Sequence, residues 1–231
     1  MTDVVPQATT VPQDQQRTVR AAVDQHIRKL QNGYFLDQAY AVQALARLRR
    51  GIGRPAMELP DLWGLLGVEQ YYEAGPGARR PTEEEALRAE NAAHIAVTLW
   101  ALHQQSNRSK RMHVDGGPSV GTAVRRLMSG NADRDEPLRK RLVRAGTATN
   151  VDVLTQRLRE IVVLLRKDEI PLDYGLLAEQ LDQWQRPDGP SDVRRAWGRS
   201  FHAYRPAKGS GENEEAAGQV DTTTHEMKED E

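Results

Sequence analysis

The sequence contains no cysteine. That excludes a disulfide framework and thiolate chemistry, and it suits a reducing compartment such as the cytoplasm. Aromatics make up only 5% of residues, with two Phe, so a core must rest on Leu, Val, Ala and the four Trp. Sustained alternation of Val, Ile and aromatics between turn residues, the mark of half-buried strands, is missing as well. No run reaches the roughly 18 apolar residues that span a bilayer, and the N-terminus lacks a basic-then-apolar signal segment. These absences point to a soluble, cytoplasmic, all-α protein with no membrane partner. Its 231 residues allow one domain or two small ones with a real core.

What is present is charge, unevenly spread beneath a net of −1. Residues 206–231 hold eight acids against Lys208 and Lys228, a net of −6, while Asp3 and Asp14 give −2 to residues 1–16. Residues 17–205 therefore carry +7, a field that favours an anionic partner. Both tails lack periodicity and are expected to be disordered.

Apolar weight gathers in AAHIAVTLWALHQQ, Ala92 to Gln105. Ala93, Val97, Trp100 and Ala101 share one side at 100° per residue, while Ile95, Leu99 and Leu102 reach round to the other, so this helix should be buried nearly all round. Thr82 followed by Glu85 is a capping-box pattern and predicts one helix of about 24 residues, around which the others pack. Upstream, spacing predicts a helix from Arg17 that stops at Asn32-Gly33. A second runs from Asp37, as N-cap, to Arg50, with Tyr40, Ala41, Ala44, Leu45 and Leu48 inward. A short helix over Pro60–Leu66 would carry Trp63 as a core plug, and a Gly- and Pro-rich loop leads on to Pro81.

Downstream comes a basic loop, SNRSKRMHVDGGPSVG, with Arg108, Lys110 and Arg111. Ser119 should cap a short helix whose inward face is Val120, Ala123, Val124 and Leu127. Further helices are expected over about Glu136–Ala148, from an Asn150 cap to Lys167, and over about 173–185 and 191–204, with Trp184 and Trp197 in the core. The chain would then divide into a disordered N-terminus (1–16), an N-terminal helical bundle (17–112), a C-terminal helical bundle (113–205) and the acidic tail (206–231).

Segment 103–167 holds fourteen Lys and Arg against six Asp and Glu, set on the non-core sides of its helices. Cations so placed neutralise phosphates, with an affinity that falls with salt and ignores sequence; the plainer reading is a solvated surface. Aromatics among these charges are scarce, so backbone contact should dominate over base stacking. His94 and His103, nine apart, lie on opposite sides of their helix and cannot share a metal ion, so packed or hydrogen-bonded histidines are expected. His113 is read as solvent-exposed or phosphate-facing. GGPSVGT lacks the lysine and the preceding strand of a P-loop, which argues against nucleotide hydrolysis. The Ser119 helix start is either a plain cap or a receptor for one phosphate.

Taken together, ARLRRGIGR (46–54), ALHQQ (101–105), MHVDGGPSVG, SVGTAVRRLM (119–128), LREIVVLLRK (158–167), IPLDYGLLAEQL (170–181) and the closing RRAWGRSF resemble the small subunit of the type I-E CRISPR complex Cascade, the CasB family. The resemblance covers nearly all of residues 20–204. It implies a non-enzymatic protein of two small packed bundles, needing no cofactor or metal. The partners implied are guide RNA, both DNA strands of the R-loop, the backbone and large subunits of the complex, and a second copy of the chain. By matching positions it implies nucleic-acid contacts at Arg49, Arg50, Arg108, Arg111, Arg125, Arg126, Lys140, Arg141 and Arg159; the outward cations Arg54, Arg144 and Arg157 complete the candidate set. Leu142 stands where the family usually has an aromatic, and Lys140 where Arg is usual. From the residues alone a helix-turn-helix regulator stays open, with 136–167 as the segment to supply it. So does an enzyme whose groups converge only in space.

Overall fold

The computed structural model describes residues 18–72 and 79–205; the expected disordered tails, and part of the loop before Pro81, lie outside the described residues. Within them the fold is all-α, and regular pairing of extended backbone is limited to one isolated bridge, His113 to Leu172. The central helix α4 (Glu83–Gln104) starts at Thr82 with both hydrogen bonds of the capping box, and its residues from Ala92 to Ala101 are all buried. Arg79 lies against Glu85, and its hydrogen bonds hold that carboxyl down to about 2. Packed on α4 are α1 (Val19–Phe35), α7 (Val151–Lys167) and α8 (Tyr174–Trp184), with α2 (Ala39–Leu48) at its flank. The short α3 spans Glu69–Tyr72. Helices α5 (Val120–Arg126), α6 (Ala132–Gly146) and α9 (Gly189–Ala203) form the remaining layer, α5 lying along α9.

Buried side chains from both halves join in one hydrophobic cluster, with Ile27, Leu48, Trp100, Leu158, Leu165 and Trp197 among its most enclosed members. The expected boundary after residue 112 falls between two buried side chains, Met112 and His113.

Several local expectations are corrected. Helix α1 does not stop at Gly33 but runs to Phe35. A Cβ at Gly33 would meet the Tyr40 hydroxyl and Ala41, so glycine is kept there for close approach of α2. Asp37 does not cap α2; it sits in the left-handed region (φ 53°) and its carboxylate takes Arg108 instead. Tyr40 then faces outward, 48% exposed, rather than into the core. Helix α6 begins a turn before Glu136, because Asn131 caps it and the Asp135 carboxylate accepts from the Ser129 and Gly130 amides. Burial pushes the Asp135 carboxyl up, and those amides outweigh it and hold it low. Trp63 is not a core plug: it follows a single 3-10 turn, Pro60–Leu62, and stands 67% exposed while Leu62 and Leu66 fill the core.

Candidate nucleic-acid interface

The candidate cations fall on separate supports. Arg49 and Arg50 occupy the 3-10 turn that ends α2, and Arg54 follows it. This turn is held from beneath by His94 of α4, whose Nε2 lies 3.2 Å from the Gly51 carbonyl and 2.9 Å from that of Arg54. Two carbonyl partners fix Nε2 as the protonated nitrogen. Burial lowers the His94 pKa despite these bonds, and Nδ1 has no partner among the described residues. Arg54 makes a long 3.9 Å pair with Glu58 and lines a small cavity with His94, Thr98 and Asp152, where the turn approaches the start of α7.

The loop after α4 is bound in the opposite manner, from many sides. Gln104, fully buried, donates to the carbonyls of Asn107 (2.7 Å) and Lys110 (3.0 Å) and accepts from the Met112 amide (3.0 Å). Gln31 of α1 brackets His113, donating to its carbonyl and accepting its amide. The His113 ring is 1% exposed, not solvent-facing as expected: Nδ1 accepts from the Tyr174 amide at 3.1 Å, leaving Nε2–H to donate to Asp24 at 2.9 Å. Arg108 donates to the Tyr34 carbonyl (2.9 Å) and Asp37 (2.7 Å) and lies over the Tyr34 ring. Lys110 pairs with Glu169, and Arg111 donates to Asn32 (2.7 Å) over the Phe35 ring. The loop's cations thus fasten it to the end of α1 and to the turn after α7.

On α5, α6 and α7 the cations project from regular helices. Ser119 caps α5 by accepting from the Thr122 amide, the plain capping role. Arg125 and Arg126 close that helix, Arg126 over the Tyr204 ring. Lys140 and Arg144 share the exposed side of α6, Lys140 making a 3.6 Å pair with Glu136. Arg141, half-buried, donates back to the Pro137 carbonyl at 3.3 Å. On α7, Arg157 pairs with Glu160 at 2.9 Å and Arg159 is exposed. Among the described residues no carboxylate lies within ion-pair distance of Arg49, Arg50, Arg125, Arg126, Arg144 or Arg159.

A profile of the family "CRISPR-associated protein Cse2" matches residues 44–202, more than half of the chain. The chain belongs to the Cse2 (CasB) family. The crystal structure of CasB from Thermobifida fusca is 53% identical, with a TM-score of 0.70, over 80% of this chain and 98% of that one. CasB from Thermus thermophilus, 22% identical at a TM-score of 0.57 over 81% and 100% of the two chains, shares the fold. So does a chain of a CRISPR RNA-guided surveillance complex, 23% identical at 0.57 over 80% and 94%. No curated protein matches.

Within this Cse2 fold the candidate cations of α5, α6 and α7 stand on elements that touch one another. Contacts of α6 with α5, α7 and α9 gather Arg125, Arg126, Lys140, Arg144 and Arg159 on neighbouring elements. Helix α9 adds Arg194, whose stem lies over Gly146 at the end of α6, and the exposed Arg199. Sequence reading spent α9 on Trp197 and passed these by. Arg199, two residues past the buried Trp197, is set outward by helical spacing, whereas Arg194, three residues before it, shares that core residue's flank and is exposed only through the packing of α9 on α6. Among the described residues no group of three or more His, Asp or Glu side chains is placed to hold a metal ion. His94 and His103 indeed point apart, His103 Nδ1 meeting the buried Tyr174 hydroxyl at 2.9 Å. No described helix is long and apolar enough to cross a membrane.

Proposed function

We propose that this chain is the non-catalytic small subunit of a type I-E CRISPR complex, Cascade, holding target and displaced DNA strands by their phosphates and so stabilising the R-loop. The observation that carries this reading is the set of outward cations on α5–α7 and at the end of α2 that have no carboxylate partner among the described residues, on a Cse2 chain. Such cations bind phosphates by displacing counterions, without regard to base sequence. The partners on this reading are guide RNA, both DNA strands, the backbone and large subunits, and a second copy of the chain; a surveillance-complex chain with the same fold supports it. Cytoplasmic location and the division into bundles 17–112 and 113–205, with most unpaired cations on the second, belong to the same proposal. Absence of catalysis is supported by where the perturbed histidines sit: His26 and His103 are lowered by burial and engage a carbonyl and a tyrosine, and His94, at the edge of the small cavity beside Arg54, commits Nε2 to two carbonyls. Nothing favours a helix-turn-helix regulator, since the start of α7 carries Asp152 and faces the Gly53–Pro55 segment.

The test is the lifetime of an R-loop formed by a guide-RNA complex lacking its small subunit, with and without this chain, at low and high salt. A longer lifetime that shrinks with added salt is expected. No effect on lifetime, together with no co-migration, overturns the reading.

A further inference from the structure

The described surface carries one tryptophan that burial does not explain. Trp63 is 67% exposed, whereas Trp100, Trp184 and Trp197 are all buried. Exposing an indole forgoes a large apolar gain. It is also held firmly. Its amide bonds to the Pro60 carbonyl at 3.0 Å, and its neighbour Leu62 is buried. The Leu62 side chain presses on Gly51 so closely that any Cβ there would collide with it. Gly51 belongs to the turn that displays Arg49 and Arg50. From the other side, Arg47 donates to the Asp61 carbonyl, tying the Trp63 segment to α2. An exposed indole on a tethered stretch of backbone therefore stands next to a turn whose two arginines meet no described carboxylate.

We infer that Trp63 is a stacking platform for an unpaired base of the strand whose phosphates Arg49 and Arg50 hold. This rests on the proposed strand-binding function and deepens it at one place. Phosphate-binding cations beside an aromatic face are the two components of single-strand binding, and every base offers a face to stack, so recognition needs no sequence. The surroundings favour nucleic acid over a protein partner. The turn packed against the Trp63 segment displays Arg49 and Arg50, which meet no described carboxylate; the segment's own exposed acids are Glu58, paired with Arg54, and Asp61, and the other exposed large apolar residues, such as Leu36, Leu87, Val143 and Val163, belong to other elements.

The experiment uses the full chain with two fluorescein-labelled probes, an oligothymidine strand and an abasic strand of equal length. Trp63→Ala should weaken the thymidine strand by about tenfold, Trp63→Phe should keep most of the affinity, and the abasic strand should bind wild type and Trp63→Ala alike. Arg49→Glu with Arg50→Glu should weaken both strands. If Trp63→Ala binds thymidine like wild type while the arginine pair loses it, stacking is wrong and phosphate holding stands. Should the arginine pair also bind normally, strand binding at this turn fails and stacking with it. Equal loss on both probes for Trp63→Ala, or loss of complex assembly with strand affinity intact, overturns the stacking role by assigning Trp63 to the shape of the turn or to a protein contact.

Discussion

The loop Asn107–Arg111 and the helices α5–α7 are both rich in cations and use them in opposite ways. In the loop Arg108, Lys110 and Arg111 each meet a partner from another part of the chain. On the helices Arg125, Arg126, Arg144 and Arg159 meet none among the described carboxylates, and the pairs of Lys140 and Arg157 are exposed contacts within one helix, worth little. The cause lies in the backbone. A loop has no hydrogen-bond ladder of its own, so side chains such as Gln31, Gln104 and Arg108 are recruited to satisfy and fasten it. A helix closes its own bonds, and its outward cations are left for something else to neutralise.

The largest expected effect comes from removing the helical set. Reversing Arg125, Arg126, Arg144 and Arg159 to Glu should cost strand affinity at least two orders of magnitude at low salt. It should also flatten the salt slope by about three, at roughly 0.7 per single-strand phosphate contact. Thermal stability should fall modestly, by about 2 kcal/mol at most if exposed substitutions cost about 0.5 kcal/mol each. Most of the loss should come at half-buried Arg125, whose charge reaches Asp135, and at Arg126 over Tyr204. Affinity and melting measured on one preparation check both halves. Equal binding loss from a folded Arg108→Glu, Arg111→Glu variant would erase the contrast.

Acid should strike the buried histidines and leave the helical cations charged. Burial pushes His103 down to about 4, and His26 and His94 are displaced in the same direction. The unfolded chain titrates near 6.5. Between those values it binds protons that the folded chain refuses, so stability is full above about pH 6.5 and lost as pH falls toward 4. For His103 alone the loss is about 3 kcal/mol. Denaturant titrations across this range should show the decline, and His103→Gln should flatten it. A stability constant from pH 7 to 5 would remove this account.

Next in size is Gln104→Ala. Three buried bonds from one amide side chain would go, leaving backbone groups of the loop unsatisfied, at a cost of about 2 kcal/mol. Strand affinity of the fraction that stays folded should be unchanged. A loss of affinity with no loss of melting temperature would show that the loop binds rather than supports.

How much of this was legible in the sequence follows the same line. Helix patterns and caps at Thr82, Ser119 and Asn150 could be read, because each cap is a local bond within three residues. The outward cations of α5–α7 were legible for the same reason, since a helix fixes which side faces out. Trp63, Tyr40 and His113 were not. Their surroundings are set by contacts such as Leu62 on Gly51, Tyr40 on Gly33 and His113 with Asp24 and Tyr174, between residues that no period connects. Nor could spacing say that Arg108 and Arg111 hydrogen-bond to other parts of the chain while Arg126 and Arg144 meet no carboxylate among the described residues. That depends on where α1 ends, and the sequence pattern placed that end too early.

Arg108 is the finest test of the division. Its guanidinium sits at the C-terminal end of α1, where a cation complements the helix dipole and a carbonyl still accepts, and it covers the Tyr34 ring at 4.2 Å. Its partner Asp37 is exposed and the side chain itself is 43% exposed, so solvent screens the pair and the whole arrangement should be worth about 1 kcal/mol. Arg108→Ala should therefore lower the melting temperature slightly and leave strand affinity within about twofold at low salt, with Arg108→Lys falling between, because an ammonium cannot reach both oxygens in one plane. An unchanged melting temperature with a tenfold weaker strand complex would give the opposite answer: Arg108 would exchange Asp37 for a phosphate on binding, and the loop would join the helices as part of the interface.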